Sequence, residues 1–283
     1  MSSAKPAEKF TFEELRNFWR GFRSENVFFS YERCSKCHLL YCPVFFQDNQ
    51  LTSLYQIMED NTAGEDLTTL ARTQSRYISN LAKTIPIKGQ WLELGADIGL
   101  LTQNLLNQPE VTRVDVIEPN ESVHPRLLES LNERGSILQS LKLSAPNFYD
   151  GVTAVHVLDH ITNLSQHLQE ISAVLKPRGM VCFVTHNEAS LLRRLIGRRW
   201  PPFCLQHPQL FSQKSISAAL ELQGFKVIAI NQTTNFFSLR HVASVAFSVF
   251  KIPTIVLKLV PSMAVPMKLG NMVTYAVKVG EST

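Results

Sequence analysis

The chain has 283 residues, of which 45% are hydrophobic and only 18% charged, so it can bury a large core and is not intrinsically disordered. Five scattered cysteines argue against a disulfide framework, and the first residues lack the apolar run of a secretory signal, so we expect a reducing, cytoplasmic location. The sequence has no stretch of about 18–20 uncharged apolar residues, which argues against a transmembrane helix.

The net charge of +4 is unevenly distributed along the chain. Residues 190–283 contain 11 Lys and Arg against two acidic residues, whereas residues 1–189 contain 17 basic and 22 acidic residues. The basic residues of the last third are mixed with long apolar runs and do not form the stripe that is typical of nucleic-acid binding. We therefore expect no nucleic-acid partner, and we keep open an anionic substrate and a peripheral contact with a membrane.

Residues 1–84 are predicted to form a helical cap. Residues 1–30 begin with an amphipathic helix, whose apolar side chains recur at helical spacing: Phe12, Leu15, Phe18, Trp19 and Phe22. Residues 50–84 also have a helical pattern that Pro86 closes, with one apolar face: Leu67, Leu70, Ile78 and Leu81.

A compact cysteine-rich segment, YERCSKCHLLYCP, occupies residues 31–43 of this cap. Cys34 and Cys37 form a C-x2-C pair, and His38 and Cys42 follow it closely. A structural zinc site usually takes two separated ligand pairs, and adjacent residues such as Cys37 and His38 point in different directions. We therefore expect no bound metal in this segment.

From Gln90 onward, short apolar runs alternate with segments of helix length. Strands are predicted at residues 91–95, 111–119, 135–141, 151–158, 180–186, 225–231 and 272–279. Helices are predicted near residues 100–107, 121–134, 164–175, 188–197 and 215–223, the last with Ser212 as its N-cap and Gly224 just beyond its end. This alternation predicts an α/β fold with an open, largely parallel sheet.

The first predicted strand ends in the sequence LELGADIGLLT, which indicates a ligand-binding turn. Gly95 and Gly99 bracket the turn, where the backbone needs a positive φ or must approach a ligand closely. Glu118 ends the second strand nineteen residues after Gly99, a position from which a carboxylate can accept hydrogen bonds from two ribose hydroxyls. A dinucleotide fingerprint would require glycine at positions 97 and 100, which hold Asp97 and Leu100. The pattern therefore favours a nucleoside ligand without a pyrophosphate.

The motif LELGADIGLLT, with IEP after the second strand, resembles motif I and its successor in the class I S-adenosylmethionine-dependent methyltransferases. VHVLDHI resembles the segment at the fourth strand of that family, and ISAVLKPRGMVCFVTHN resembles its fifth strand and the preceding turn. YERCSKCHLLYCP is similar to a zinc-ribbon-like segment that precedes the domain in one subgroup, here with a single cysteine pair. The resemblance spans roughly residues 31–280.

This resemblance implies a Rossmann-like, doubly wound sheet of seven strands over residues 85–283, a helical lid over residues 236–268, and S-adenosylmethionine as the cofactor. Glu93 is expected to meet the amino group of its methionine part, because an acid beside an amine and a sulfonium is favourable. The implied cofactor-binding residues are Glu93, Leu94, Gly95, Ala96, Asp97, Gly99, Leu100, Glu118, Pro119 and Val157.

Asp159 and His160 follow the fourth strand, on the edge where a methyl acceptor would lie. Transfer to a hydroxyl needs a group that takes up a proton, and the pKa of histidine suits that task. His160 is therefore the candidate base, with His186 and His207 as further candidates, although His160 could instead cap or support the next helix. The expected acceptor is a small molecule, such as a sugar or another metabolite that presents a hydroxyl. A catalytically silent, methyltransferase-like binding protein and a zinc-ribbon adaptor remain alternatives.

Residues 239–260 are predicted to contain an amphipathic helix that Pro253 breaks or kinks. Its apolar face comprises Leu239, Val242, Val245, Ala246, Val249 and Phe250, and its polar face comprises Arg240, His241, Ser244, Ser248 and Lys251. The apolar face either roofs the acceptor pocket as a lid or lies in a bilayer interface. Both interpretations predict an acceptor with an apolar portion.

Overall fold

The structure, a computed structural model, describes residues 1–19, 26–56, 66–250, 257, 260, 261 and 263–280. The α-helices found there are α1 (Phe12–Arg16), α2 (Asp48–Gln56), α3 (Leu67–Thr84), α4 (Leu100–Leu106), α5 (His124–Leu131), α6 (Leu164–Val174), α7 (Leu191–Ile196), α8 (Gln213–Glu221) and α9 (Leu239–Phe250). The strands are β1 (Lys5–Pro6), β2 (Val27–Phe28), β3 (Glu32–Arg33), β4 (Leu40–Tyr41), β5 (Lys88–Leu94), β6 (Glu110–Ile117), β7 (Ile137–Leu138), β8 (Tyr149–Val155), β9 (Leu175–His186), β10 (Gln209–Leu210), β11 (Phe225–Gln232), β12 (Asn235–Ser238), β13 (Ala264–Met267) and β14 (Asn271–Lys278).

Seven strands form the central sheet, in the order β11-β14-β9-β8-β5-β6-β7. From β7 to β9 the neighbouring strands are parallel, whereas β14 runs antiparallel to both β9 and β11. The chain enters at the centre with β5, winds outward to β7 and then returns to build the other half from β8. All seven predicted strand segments are confirmed as strands of one doubly wound sheet.

Helices cover both faces of this sheet. Apolar side chains of α3, α4 and α5 pack on one face around Trp91, and those of α6 and α8 pack on the other around Phe183. Each of these aromatic rings is almost wholly buried, and burying a side chain of this size is worth about 1.5–3 kcal/mol. The two packed faces hold the strand ends in fixed positions, and these ends define the site described below.

The predicted helices between the strands are confirmed, with small changes at their ends. The Ser212 side chain accepts a hydrogen bond from the Ser215 N–H at 3.2 Å and caps α8, and Gly224 follows that helix with a φ of +76°. The helix expected over residues 188–197 extends only over α7, because Ser190 is its N-cap and the helix therefore begins at Leu191.

The N-terminal helix is much shorter than its apolar spacing predicts. It extends only over α1, and residues 20–25, including Phe22, lie outside the described residues. Trp19 belongs to an aromatic cluster in which its ring lies 5.7 Å from that of Phe46 and 5.3 Å from that of Tyr55. Tertiary packing of these rings therefore overrides the helical period.

The helical segment predicted over residues 50–84 consists of α2 and α3, with residues 57–65 outside the described part. Leu67, assigned to the buried face, is 40% exposed because it is the first residue of α3, next to its N-cap Asp66. Ile78 and Leu81 are buried as predicted and Leu70 is half-buried, while the rest of the buried face of α3 consists of Thr69, Thr73 and Tyr77. These side chains pack against the sheet, although the predicted domain boundary lies after residue 84; that boundary stays a prediction.

The N-terminal cap attaches to the segment that precedes α8. Strand β4 pairs with β10, and Arg33 forms a two-pronged ion pair with the buried carboxylate of Glu188, at 2.8 and 3.1 Å. The Tyr31 hydroxyl donates a hydrogen bond to the His207 carbonyl at 2.6 Å. The cap is thereby fixed over the carboxyl edge of the sheet.

In the segment predicted as a lid, β12 and β13 pair and α9 follows β12. Strand β12 is attached to α3, since the Phe236 N–H donates a hydrogen bond to the Thr73 hydroxyl at 2.8 Å. That the segment acts as a lid stays a prediction. Arg240, His241 and Ser244 are exposed on α9, whereas Val242 and Val245 are half-buried, as the amphipathic pattern predicts. Pro253 and the side chains of residues 248–250 lie outside what the structure describes. In the described part of the chain, α9 and the other helices are all too short or too polar to cross a membrane.

Candidate functional site

The loop between β5 and α4, which contains Gly95 and Gly99 and which we call the glycine loop, lies at the carboxyl edge of the sheet. The winding direction of the sheet changes there, between β5 and β8. Gly95 has a φ of +66° and Gly99 a φ of +80°, both in the region that favours glycine. A Cβ atom at Gly95 would lie only 2.5 Å from Cγ2 of Val157, so the loop runs directly against the segment that follows β8. The two glycines therefore permit both the turn and the close approach.

Glu118 follows β6, and two backbone amides hold its carboxylate beside this loop. Its Oε2 accepts a hydrogen bond from the Asp97 N–H at 2.8 Å, and its Oε1 accepts one from the Asn120 N–H at 2.8 Å. Each carboxylate oxygen has a second lone pair that can accept a bond from a hydroxyl of a ligand. Asp97, which stands where the related motif usually has glycine, adopts a φ of +49° and keeps the loop intact.

Glu93 is the third carboxyl group at this edge, and it is only 3% exposed. Burial raises the pKa of Glu93 to about 8, with a smaller contribution from the negative charges of Glu118 and Asp97. The Thr102 hydroxyl donates a 2.5 Å hydrogen bond to its Oε2 and partly opposes that rise in pKa. The negative charges of Glu118 and Asp97 disfavour a pyrophosphate at this edge, and a bound cation such as S-adenosylmethionine would favour ionisation of Glu93.

The other predicted cofactor residues lie around the same edge. The side chains of Leu94 and Ala96 belong to the hydrophobic core, so these residues can offer a ligand only their backbone. Pro119 is exposed, and Leu100 and Val157 are half-buried, so these three can offer an apolar surface to a ligand. The strand ends therefore bring all ten predicted positions together.

A group of histidines surrounds a buried aspartate beyond the ends of β8 and β9. We call this group the histidine cluster, and its members are His156, Asp159, His160, His186 and His207. The Asp159 carboxylate is fully buried; its Oδ2 lies 3.1 Å from Nδ1 of His186 and 3.9 Å from Nδ1 of His156. The rings of His156 and His186 are 4.4 Å apart. His156 directly precedes Val157, so the cluster adjoins the glycine loop.

The other two histidines connect the cluster to the N-terminal cap. The His160 ring is 4.7 Å from that of His207, which in turn is 5.0 Å from the ring of His186. The Tyr55 hydroxyl, at the end of α2, lies 3.5 Å from Nδ1 of His160. Nδ1 of His207 lies 2.7 Å from the Pro202 carbonyl oxygen, a distance at which an N–H there donates a hydrogen bond.

Burial sets the charge states of this cluster. It lowers the pKa of His160 to about 4, and it also lowers the pKa values of His156 and His207. Burial alone would raise the pKa of Asp159, but the neighbouring imidazoles of His186 and His156 hold it well below its usual range. At neutral pH the neutral imidazoles of His156, His160 and His207 therefore lie beside an ionised carboxylate.

The sequence indicated most of the cluster but not all of it. His156 was missed, although the pattern H-x2-D-H directly after a predicted strand contains the signal, because strand ends in such sheets line ligand sites. Tyr55 was missed because it belongs to the cap, and its local sequence does not show that it reaches the sheet. Asp159, which was predicted as a catalytic candidate together with His160, contacts His186 at 3.1 Å.

The cysteine pair lies in the turn between β3 and β4. Backbone hydrogen bonds from Cys37 and Lys36 lower the pKa of Cys34. Over the ranges that the structure covers, a set of three metal-ligating side chains occurs at His156, Asp159 and His186 and not at the cysteines. The absence of zinc from the cysteine segment stays a prediction.

Comparison with known proteins agrees with this geometry. The profile of the family described as "Methyltransferase domain" matches residues 67–230. The mitochondrial ubiquinone biosynthesis O-methyltransferase of Dictyostelium discoideum is 28% identical over 123 residues, which is 38% of this chain and 38% of that protein. The ubiquinone biosynthesis O-methyltransferase of Bordetella pertussis is 26% identical over 174 residues, which is 55% of this chain and 72% of that protein. The chain thus spans well under half of the first relative's length.

Solved structures support the same fold. A SAM-dependent methyltransferase from Leishmania major superposes with a TM-score of 0.53 at 15% identity, over 81% of this chain and 82% of that one. At this level of identity the similarity concerns the fold alone. It agrees with the central sheet described above.

Proposed function

The chain belongs to the class I S-adenosylmethionine-dependent methyltransferases, and we propose that it transfers the methyl group of this cofactor to a hydroxyl oxygen of a small-molecule acceptor. The observation that carries the proposal is the histidine cluster directly beside the glycine loop, because transfer to a hydroxyl requires a nearby group that takes up the proton. The names of the curated relatives support oxygen as the methylated atom.

We propose that the glycine loop and the three neighbouring acids bind the cofactor. The carboxylate of Glu118, already held by two amides, accepts hydrogen bonds from the ribose hydroxyls. Glu93 pairs with the amino group of the methionine part, and Val157 and Leu100 contribute apolar contacts. S-Adenosylmethionine supplies a methyl carbon on a positively charged sulfur, which an incoming oxygen can attack directly.

We propose His160 as the residue that takes up the acceptor's proton. It is uncharged at neutral pH because burial lowers its pKa, and the Tyr55 hydroxyl at 3.5 Å orients its ring. The bond from oxygen to the methyl carbon forms as the bond from carbon to sulfur breaks, and the proton of the hydroxyl passes to the imidazole. Asp159 acts as a positioning residue through its contact with His186.

We propose that the acceptor carries an apolar portion beside its hydroxyl. The half-buried apolar face of α9 supports this. The basic last third of the chain is compatible with an additional acidic group on the acceptor. A sugar or another metabolite with such a substituent fits this description.

The test is methyl transfer from labelled S-adenosylmethionine to acceptor pools that are fractionated by polarity. We expect a labelled O-methyl product in an apolar fraction, lost in His160→Gln and retained in the exposed-histidine variant His241→Gln. A product labelled on nitrogen, or only in fully polar fractions, would contradict the acceptor proposed here. Tight cofactor binding without transfer to any pool would favour the alternative of a silent binding protein.

Glu118→Ala is expected to weaken S-adenosylmethionine binding by about 1–3 kcal/mol, because charge-assisted hydrogen bonds to the ribose and to the Asp97 amide are lost. Calorimetric titration measures this change. Glu121→Ala removes an exposed acid only three residues away and should leave the affinity unchanged. If Glu118→Ala stays folded and binds as tightly as the parent, the ribose assignment is wrong.

We also propose that the protein works in a reducing, cytoplasmic compartment. The five cysteines of the chain are free thiols, of which Cys182 and Cys204 are buried. Burial raises the pKa of each of these two thiols to about 12, so they stay protonated and unreactive at neutral pH.

A further inference from the structure

Transfer of the acceptor's proton to His160 depends on how acidic the acceptor hydroxyl is. Phenolic and alcoholic hydroxyls have pKa values of about 10 or more, whereas an imidazolium ordinarily has a pKa of about 6.5, so a histidine is a weak base for such a proton. A base this weak removes such a proton efficiently only if something else acidifies the hydroxyl. The histidine cluster contains a group of ligands that could do so.

Three members of the cluster bring potential metal ligands close together. His156, Asp159 and His186 each offer one ligand atom, and these atoms lie within 4.8 Å of one another. Oδ2 of Asp159 lies 3.1 Å from Nδ1 of His186 and 3.9 Å from Nδ1 of His156. His156 follows β8, Asp159 lies in the short helical turn after it, and His186 ends the neighbouring strand β9. All three are therefore anchored at adjacent strand ends on the acceptor side of the glycine loop.

Two buried atoms of these residues lack a hydrogen-bond partner in the described part of the chain. They are Nδ1 of His156 and Oδ1 of Asp159, and the Asp159 side chain is completely inaccessible to solvent. A buried carboxylate oxygen without a partner is costly and calls for an explanation. A cation bound by Nδ1 of His156 and, through both oxygens, by the Asp159 carboxylate would give each of these two unpaired atoms a partner.

We propose that His156, Asp159 and His186 form a binding site for a divalent transition-metal ion that contacts the acceptor hydroxyl. Two imidazoles and one carboxylate suit Zn²⁺, Mn²⁺, Fe²⁺ or Co²⁺, whereas Mg²⁺ and Ca²⁺ prefer oxygen ligands alone. Three protein ligands leave a coordination position open, as is usual for catalytic metal sites. We call these three residues the His–Asp–His triad.

The observed spacing needs only a small adjustment to hold an ion. Bonds of about 2.0–2.1 Å in tetrahedral geometry place ligand atoms about 3.4 Å apart. The separation from Asp159 Oδ2 is 3.1 Å to His186 Nδ1 and 3.9 Å to His156 Nδ1, so a rotation of the half-exposed His156 ring completes the site.

A second layer of contacts supports this ligand set. Nδ2 of the Asn271 side-chain amide lies 3.3 Å from Nε2 of His156 and orients that ring. A 180° turn of the amide, which exchanges its nitrogen and oxygen, would let the oxygen accept the Nε2 proton when Nδ1 binds the ion.

The role of the ion rests on the proposed function, but its binding does not. A bound cation lowers the pKa of a hydroxyl that coordinates it, so that His160 needs to take up only an acidified proton. The site also differs from the cysteine segment, where thiolates would be the ligands. Metal binding and methyl transfer can therefore be tested separately.

The test is titration of the chelator-stripped, full-length protein with Co²⁺ alone, followed by calorimetry and by visible absorption. We expect one Co²⁺ per chain, with ligand-field bands but no thiolate-to-cobalt charge transfer. His156→Gln and Asp159→Asn should each weaken Co²⁺ binding by more than about 100-fold, since loss of a ligand costs more than loss of an outer contact. His241→Gln, which alters an exposed histidine on α9, should bind as the parent does.

The cysteine pair and the fold provide the controls. The variant Cys34→Ser/Cys37→Ser should bind Co²⁺ as the parent does. Loss of Co²⁺ binding in this cysteine variant, or unchanged Co²⁺ binding in His156→Gln, would overturn the proposed site. Unaltered S-adenosylmethionine affinity in His156→Gln shows that this variant is folded. If the stripped protein transfers methyl groups but does not bind Co²⁺, the metal site is refuted and the proposed function is not. If the triad binds Co²⁺ but no acceptor is methylated, the proposed function is refuted and the metal site is not.

Discussion

Gly95 meets two constraints in the glycine loop: its φ is +66°, and a Cβ there would lie 2.5 Å from Cγ2 of Val157. Gly95→Ala should therefore suffer both backbone strain, about 1–2 kcal/mol, and a steric clash that displaces the loop. We expect a clear fall in the melting temperature and at least a tenfold loss of S-adenosylmethionine affinity, about 1.4 kcal/mol. Thermal denaturation and calorimetry measure the two effects.

Gly224 offers a matched control, because its φ is +76° but a Cβ there would have no neighbour within 4 Å. Gly224→Ala should show the strain alone, with unchanged cofactor affinity. Adding Val157→Ala to Gly95→Ala should restore part of the loss by removing the clashing methyl group. Equal destabilisation in the two glycine variants, with normal binding in Gly95→Ala, would show that the close contact is unimportant.

The buried carboxyl of Glu93 predicts how stability and binding change with pH. Its pKa is about 8 in the folded protein and about 4.3 in an unfolded chain, so between these values the folded state retains a proton that the unfolded state has lost. Stability should therefore fall as the pH rises through this range, by up to about 1.4 kcal/mol per pH unit. Cofactor affinity should rise with pH towards 8, because only the ionised carboxylate pairs with an ammonium group.

Glu93→Gln removes the titrating group and should flatten both profiles. Denaturant unfolding and calorimetry at several pH values between 5 and 8 make the comparison, with the exposed Glu110→Gln as the control that keeps the parent's slopes. Parent-like pH profiles in Glu93→Gln would mean that another group governs this dependence.

At the scale of secondary-structure elements, α9 distinguishes a lid from a membrane anchor. Its apolar face is already half-buried against the protein, which favours the lid. We therefore expect no flotation of the protein with vesicles that contain anionic lipid, even at low salt. Val242→Ser/Val245→Ser should instead raise the KM for an apolar acceptor, while Leu191→Ser/Leu195→Ser, on the exposed face of α7, should leave it unchanged. If the parent protein floats with vesicles in a salt-sensitive manner and the α9 variant does not, α9 is an interfacial helix and not a lid.

The elements of the sheet could be predicted because each has a local signal. Strands such as β5 and β9 are apolar runs of sufficient length with glycine or a helix cap at their ends, and all seven were found. The cap could not be predicted in this way, because its strands have two residues each and depend on distant partners. Strand β4, for example, pairs with β10, which is more than 160 residues away in the sequence.

At the scale of the whole molecule, the cofactor side and the acceptor side of the site arise differently. The proposed cofactor side consists mainly of one contiguous loop and the next strand end, with Val157 added from the segment after β8, so a short motif was sufficient to propose most of it. The acceptor side is assembled from separate parts of the chain, which bring Tyr55, His160, His186 and His207 together. Only the folded sheet and the docked cap create that neighbourhood, so its histidines could be suspected individually but not as a cluster.

Because the cap reaches the histidine cluster through Tyr55, we expect the cap to affect acceptor turnover and not cofactor binding. Tyr55→Phe removes one hydroxyl beside His160 and should lower kcat/KM for the acceptor about 2–10-fold, the effect of losing a single neutral hydrogen bond. S-Adenosylmethionine affinity should stay at the parent's value, because Tyr55 contacts the base and not the glycine loop. Tyr41→Phe, in β4 of the same cap, serves as the control and should change neither quantity. A parallel loss of cofactor affinity in Tyr55→Phe would mean that the cap organises both sides of the site, since an effect that passed only through His160 would leave the cofactor side intact.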